Sequence, residues 1–212
     1  MASAVSRKKR TGKPARRPRR GSEGLRKRLL DSALAEFAEH GFAGASTRSI
    51  AARADAHQPQ INYHFDSKLT LWRATVDRLM AELDEQLVSP PGASLREQAV
   101  ATIRSFVGFA ARRPELNRIM IHEGTADTER LRWIVERHLR PRHEAFIALW
   151  KKLVARGEAR DVSPKLIHHI LFGAGLLLYS NAPEVRLLLD LEPSDPDVVE
   201  LHVSTLINLF LE

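Results

Sequence analysis

Apolar side chains recur at intervals of three and four along most of the chain, and nowhere do they alternate with polar ones for long enough to specify a strand. Leu29, Leu30, Ala33, Leu34, Phe37 and Ala38 form the first helical stripe. Ser22 is placed to cap it, and Gly41 to end it as a left-handed C′ residue, after which Phe42 folds back on the helix end. Ser46 then caps a short helix from Thr47 to about Arg53, buried through Ile50, Ala51 and Ala54. The next segment, "ADAHQPQINYHF" (54–65), predicts another short helix, pinned to a core by Ile61 and Phe65 four residues apart. A fourth helix spans about Ser67 to Leu87, with Leu69, Leu71, Trp72, Val76, Leu79, Met80 and Leu83 on its apolar face. "SPPG" (89–92) breaks it.

Helical stretches continue at Leu95–Ala111, Pro114–His122, Asp127–His138 and Pro141–Arg156. Pro164–Ser180 is apolar nearly all round, so it must be covered on more than one side. The last helix runs from about Asp195 to Leu211, with Ser194 as its cap. The expected fold is all-α. A three-helix unit (22–73) follows a basic arm (1–21), and a larger helical domain (74–212) is linked to it by the helix at about 67–87.

Two short helices joined by a tight link describe a helix-turn-helix unit, whose second helix lies in the major groove of DNA. The side chains of 57–64 fit that use. Base edges show mixed donors and acceptors, and Gln58 and Gln60 suit adenine N6 and N7. His57 caps the helix or touches a base, while Asn62, Tyr63 and His64 suit phosphate oxygens. With His57 as N-cap, Pro59 sits in the first turn, where its missing amide has no intrahelical partner to lose.

Charge strengthens this picture. The net charge of the 212 residues is +7, yet residues 1–20 hold nine basic residues and no acidic one, leaving −2 for the rest. Residues 22–73 hold seven basic and six acidic side chains, so the reading unit itself is nearly neutral. The arm, including Arg16, Arg17, Arg19 and Arg20, is expected to lie on phosphates and displace counterions. Its other readings are a solubilising tail or an Arg-rich targeting segment.

The chain has no cysteine, which excludes disulfides, thiol catalysis and Cys-based metal sites and fits a cytoplasmic setting. The longest apolar run, Ile170–Tyr179, is too short to span a bilayer, and no apolar segment follows the N-terminal charges as in a secretory signal. No Gly-rich phosphate loop, GxSxG or HExxH is present, so no catalytic residue and no cofactor is expected. Neither His122 beside Glu123 nor His168 beside His169 chelates a metal as a pair, because helical neighbours point about 100° apart.

Residues 24–73 resemble the DNA-binding domain of TetR-family transcriptional regulators. The resemblance rests on "LLDSALAEFAEHGF", "STRSIAARA", "INYHF" and "SKLTLW", in order and correctly spaced. The chain departs from it at Asp55, Ala56 and His57, where Gly, Val and Ser are common. It implies backbone contacts from Thr47 and Arg48, base contacts from Gln58, Pro59 and Gln60, and phosphate contacts from Tyr63, His64 and Lys68. It also implies a repressor that binds a palindromic operator as a homodimer and is released by a small-molecule effector. Candidate pocket residues are Arg104, Phe106, His122, Glu123, Trp133, Trp150, His169 and Phe172. For the dimer, the last two long helices supply Leu171, Gly175, Leu178, Val199, Val203, Leu206 and Phe210, with Gly173 to Gly175 permitting close approach. The rival reading is a helical interaction module whose basic tail serves targeting and reads no sequence.

Overall fold

The computed structural model describes residues 20–212. Four helices open the chain: α1 (Arg20–Gly44), α2 (Thr47–Arg53), α3 (Gln58–Phe65) and α4 (Lys68–Asp84). α5 (Leu95–Arg112), α6 (Glu115–Gly124) and α7 (Glu129–Ile134) follow. A π segment (Val135–Leu139) then runs directly into α8 (Arg140–Ala155). α9 (Pro164–Ser180), α10 (Ala182–Leu189) and α11 (Pro196–Phe210) complete the fold. Among the described residues the sole β-pairing is an isolated bridge between Ala159 and Leu211. None of the described helices is long and apolar enough to cross a membrane.

Local signals set most boundaries. Ser46 caps α2 by accepting from the Ser49 amide, and Ser67 caps α4 by accepting from the Thr70 amide at 3.1 Å. Ser94 and Glu97 form a capping box on α5. Two expected caps differ. α1 begins at Arg20, so Ser22 lies inside it. Asp195 rather than Ser194 caps α11, accepting from the Asp197 amide at 2.9 Å, while the Ser194 hydroxyl donates to Glu192.

Gly41 interrupts α1 with φ 64° and ψ 178°. The φ is positive as expected, but the ψ is extended rather than left-handed helical, a region that is essentially glycine's alone. A Cβ there would also lie 3.2 Å from the His122 ring. Gly41→Ala is therefore expected to cost about 1–3 kcal/mol, read as a lower urea midpoint. An unchanged midpoint would mean that the backbone relaxes out of this conformation.

Pro141, expected to open a new helical stretch, does not interrupt the rod. It is the second residue of α8, directly after the π segment. A proline in α register would clash with the carbonyl four residues back; i→i+5 bonding moves that carbonyl out of the way. The same wide turn brings residues five apart onto one face, so Arg137 and Arg142 both face α4. Arg137 Nε donates to Asp77 at 2.6 Å and Arg142 Nε to Asp84 at 3.0 Å. The two pairs border a groove of ≈ 590 Å³.

The buried side chains form two clusters. The first joins α1–α4 to Phe106 and Phe109 of α5, Leu116 and Ile119 of α6 and Ile134 of α7. The second fills the space among α5, α8, α9 and α11, through Ile103, Val107, Trp150, Leu171, Val203 and Leu206. α5 feeds both, so the core of the first three helices continues into the larger part of the molecule.

Candidate nucleic-acid interface

α2 is held against α1 at both ends. At its start the Glu36 carboxylate, 2% exposed, accepts from the Ser46 amide at 3.0 Å, where the positive end of the helix dipole favours an anion. Past its end, Arg28 Nε donates to the Ala54 carbonyl at 3.1 Å. The link to α3 passes through Asp55 at φ 51°, so this aspartate takes the conformation for which glycine is the usual residue.

α3 is anchored from beneath by Ile61 and Phe65, both buried, and turns its polar side outward. His57 is its N-cap by backbone geometry, but its imidazole makes no capping bond. Gln60 does that work: its Oε1 accepts from the His57 amide at 2.8 Å, while the Gln60 amide donates to the His57 carbonyl at 2.9 Å. Pro59 lies exposed in the first turn. Gln58 Nε2 donates to the Thr47 hydroxyl at 3.2 Å, tying the start of α3 to the start of α2. Both glutamines expected to read bases are thus held in place by internal hydrogen bonds and keep their remaining amide atoms for a partner.

The expected phosphate contacts divide. Tyr63 is 81% exposed and Arg48 is exposed. His64 is half-buried, and burial followed by the Arg26 charge lowers its pKa, which keeps it neutral at physiological pH. Lys68 turns back on the protein: its Nζ lies 3.4 Å from the Ala43 carbonyl and 4.8 Å above the Phe42 ring. Burial, then the Arg130 charge, lowers the Lys68 pKa, with Glu36 opposing. Its ammonium is a brace for the α1–α4 corner as well as an edge charge. Arg16, Arg17 and Arg19 lie outside the described residues, as does the side chain of Arg20.

The family profile described as "Bacterial regulatory proteins, tetR family" matches residues 29–75, which run from α1 into α4. Over that stretch the chain is similar to the TetR family. Over 105 residues it is 30% identical to the HTH-type transcriptional repressor SCO4008 of Streptomyces coelicolor, a match covering 50% of this chain and 52% of that protein. It therefore spans about half the length of that relative. It is 24% identical to the probable HTH-type transcriptional regulator YttP of Bacillus subtilis, over 82% of this chain and 86% of YttP. Among solved structures, AibR in complex with isovaleryl coenzyme A and operator DNA superposes with a TM-score of 0.71, at 20% identity, over 88% of this chain and 98% of AibR. A TetR-like regulator from Rhodococcus gives 0.66 at 22% identity, over 92% and 96%.

The eight side chains expected around an effector do not meet in one place. Phe106, Trp150 and Phe172 belong to the bundle interior, where the Phe106 and Phe172 rings lie 4.3 Å apart. Arg104 is exposed and engaged by Glu200 of α11, so charge pairing takes it to the surface. His169 is exposed on α9. His122, Glu123 and Trp133 face α1 and α4 instead. His122 lies against Gly41 with Nε2 3.3 Å from the Ala38 carbonyl. Glu123, 3% exposed, accepts from Arg130 at 3.0 Å, and the Arg130 guanidinium stacks 4.2 Å from the Phe42 ring. Trp133 packs on Trp72 at 5.7 Å. Arg130 carries no signal in the sequence because its partner Phe42 is distant in the chain. Among the described residues no group of three or more His, Asp or Glu side chains could hold a metal.

The expected dimer residues also need correction. Leu171, Gly175, Val203 and Leu206 are buried in this protomer's own core. Gly175 permits close approach, but to the Phe106 ring of α5, 3.1 Å from where its Cβ would be. Leu178, Val199 and Phe210 are half-buried against the same cluster. The outward face is the adjacent stripe: Leu166, Ile170, Gly173 and Leu177 on α9, and Leu201, Thr205 and Leu209 on α11. α10, a helix absent from the expected set, adds Leu187 at 90% and Leu188 at 73% exposure. Its signal is the proline-led "APEVRLLL". Together these helices border an apolar groove of ≈ 420 Å³.

Proposed function

We propose that the protein is a sequence-specific transcriptional regulator that binds double-stranded DNA as a homodimer in the cytoplasm. The observation that carries this is α3 itself: a short helix clamped through α2 to the body, its proline-led first turn and polar side free of any covering element among the described residues. Such a helix fits the major groove, and two copies about 34–36 Å apart fit a palindromic operator. The naming of SCO4008 as a repressor supports repression, and the operator and isovaleryl coenzyme A held by AibR support an effector-responsive mechanism. An effector that binds the second part of the chain more tightly in one dimer geometry shifts the population away from the one that fits DNA. The exposed apolar face of α9, α10 and α11 is the surface for the second copy.

Selection of bound duplexes from random DNA tests the reading, and no preference over scrambled competitor at physiological salt would refute it. On the selected site, Gln58→Ala with Gln60→Ala is expected to cost about 1–2 kcal/mol per side chain, in the lower part of the base-readout range, because each amide already serves an internal bond. Retained preference in a gel shift would mean that these side chains do not read bases. Removing residues 1–20 is expected to weaken binding. It should also flatten the slope of log K against log salt by about 0.9 for each phosphate that the arm no longer neutralises. An unchanged slope would show that the arm stays off the DNA.

A further inference from the structure

We propose that Arg130 is a positioning residue for DNA binding: it shares the Phe42 ring with Lys68 and keeps the Lys68 ammonium from settling there, so that the ammonium stays available to a DNA phosphate. The proposal rests on the reading of the chain as a DNA-binding regulator and adds to that reading a residue from outside the first four helices.

α4 and α7 meet at Phe42, the residue after the Gly41 turn. Lys68 Nζ, from the first residue of α4, lies 4.8 Å from the ring centroid. The Arg130 guanidinium, from α7, lies 4.2 Å from the same centroid. Each contact is favourable by itself, since the face of an aromatic ring attracts a cation. Held on one ring, the two cations also repel each other. Arg130 is fixed there by an anion: its Nε donates to both oxygens of the buried Glu123 carboxylate, at 3.0 Å each. Lys68 has the Ala43 carbonyl at 3.4 Å, near the outer limit of a hydrogen bond. Glu36 attracts it, yet that carboxylate is already engaged by the Ser46 amide at 3.0 Å and by Arg53 at 3.6 Å.

Arg130 is thus the pinned charge and Lys68 the mobile one. A largely buried ion pair such as Glu123–Arg130 adds little net stability, because taking two charges out of water costs about as much as their pairing returns. What the pair does is fix where the guanidinium stands. Burial, and next the Arg130 charge, disfavour the Lys68 ammonium in its present seat, which is why its pKa falls. A phosphate at the edge of α4 offers that ammonium a charge-assisted bond with an anion instead. The two seats compete. With Arg130 charged, Lys68 leaves Phe42 at little cost; with Arg130 neutral, Lys68 relaxes onto the ring and must be pulled away to reach DNA.

A double-mutant cycle on the selected duplex tests this. Arg130 is neutralised together with its partner, as Glu123→Gln with Arg130→Gln, so that no lone carboxylate stays buried. The paired change is expected to weaken binding about three- to tenfold in the full chain, and less than about twofold in a Lys68→Met background. A loosened fold would weaken binding equally in both backgrounds, so equal losses overturn the proposal. Should the amide pair fail to fold, Glu123→Leu with Arg130→Met, an apolar pair of similar volume, serves the same cycle. A second arm needs no DNA. The lysines are converted to isotopically labelled dimethyl forms, which keep their charge, and titrated by NMR, with the Lys68 signal assigned by its loss in Lys68→Met. The Lys68 pKa should rise when Arg130 is neutralised, and an unmoved value also overturns the proposal. Duplex preference with an additive cycle sinks the Arg130 role alone. Absence of any duplex preference in the wild type sinks the regulator reading, and the positioning role falls with it.

Discussion

Glutamate in place of both Leu177 and Leu201 is expected to leave the protein monomeric and to weaken binding to its selected duplex by about two to four orders of magnitude. The two leucines are 55% and 61% exposed in the protomer and lie on the outward stripes of α9 and α11. In a two-fold symmetric dimer each surface meets its own copy, so the double change places four carboxylates in one apolar interface. The core of the protomer is left as it was, and glutamate is nearly as good a helix former as leucine. The melting curve of the separated monomer should therefore show an intact fold. The DNA penalty arises because the second reading head no longer binds at the high effective concentration set by the first. Sedimentation velocity and gel shifts check both halves. A variant that still sediments as a dimer would place the interface elsewhere on the molecule.

Trp72→Ala is expected to cost about 3–5 kcal/mol of stability, the range for deleting a fully buried large aromatic. The indole is 1% exposed. It meets Phe42 edge-on at 6.1 Å, Trp133 at 5.7 Å and the Arg130 guanidinium at 6.0 Å. These partners come from α1 and α7, so the cavity would open at the seam between the first three helices and the rest. For a domain of this size the melting temperature should fall by roughly 6–20 °C. Guanidinium unfolding gives the direct measurement. A loss below about 1 kcal/mol would mean that the seam collapses around the vacancy and that the two parts are not joined through this residue.

How much of this was legible in the sequence depends on the range of the signals. α2 and α3 could be placed because Ser46, Pro59 and the Ile61/Phe65 pair act within a turn or two, and their positions fixed which side chains face outward. The internal bonds of Gln58 and Gln60 were not legible, because they depend on rotamers. In α9 and α11 the trouble was phase. A helix apolar all round has no single stripe, so periodicity could not say which leucines face the protomer's own core. Leu171, Gly175, Val203 and Leu206 turned out to lie in the protomer's own core. The scattered pocket candidates failed for a third reason, sequence distance. Arg104 finds Glu200 ninety-six residues away and His122 finds Ala38 eighty-four away. Such pairings are set by how whole helices pack.

The π segment sets the phase of everything beyond it. It shifts the helical repeat by one position just where α7, resting on Phe42 of α1 and Trp72 of α4, becomes α8, which holds Phe146 and Trp150. Excising one residue there, for instance Glu136, would return the rod to its ordinary pitch and swing the downstream face by about 100°. The guanidinium of Arg142 would leave Asp84, and the indole would leave the bundle interior. One surplus amino acid thus keeps the two ends of a single rod facing two different cores.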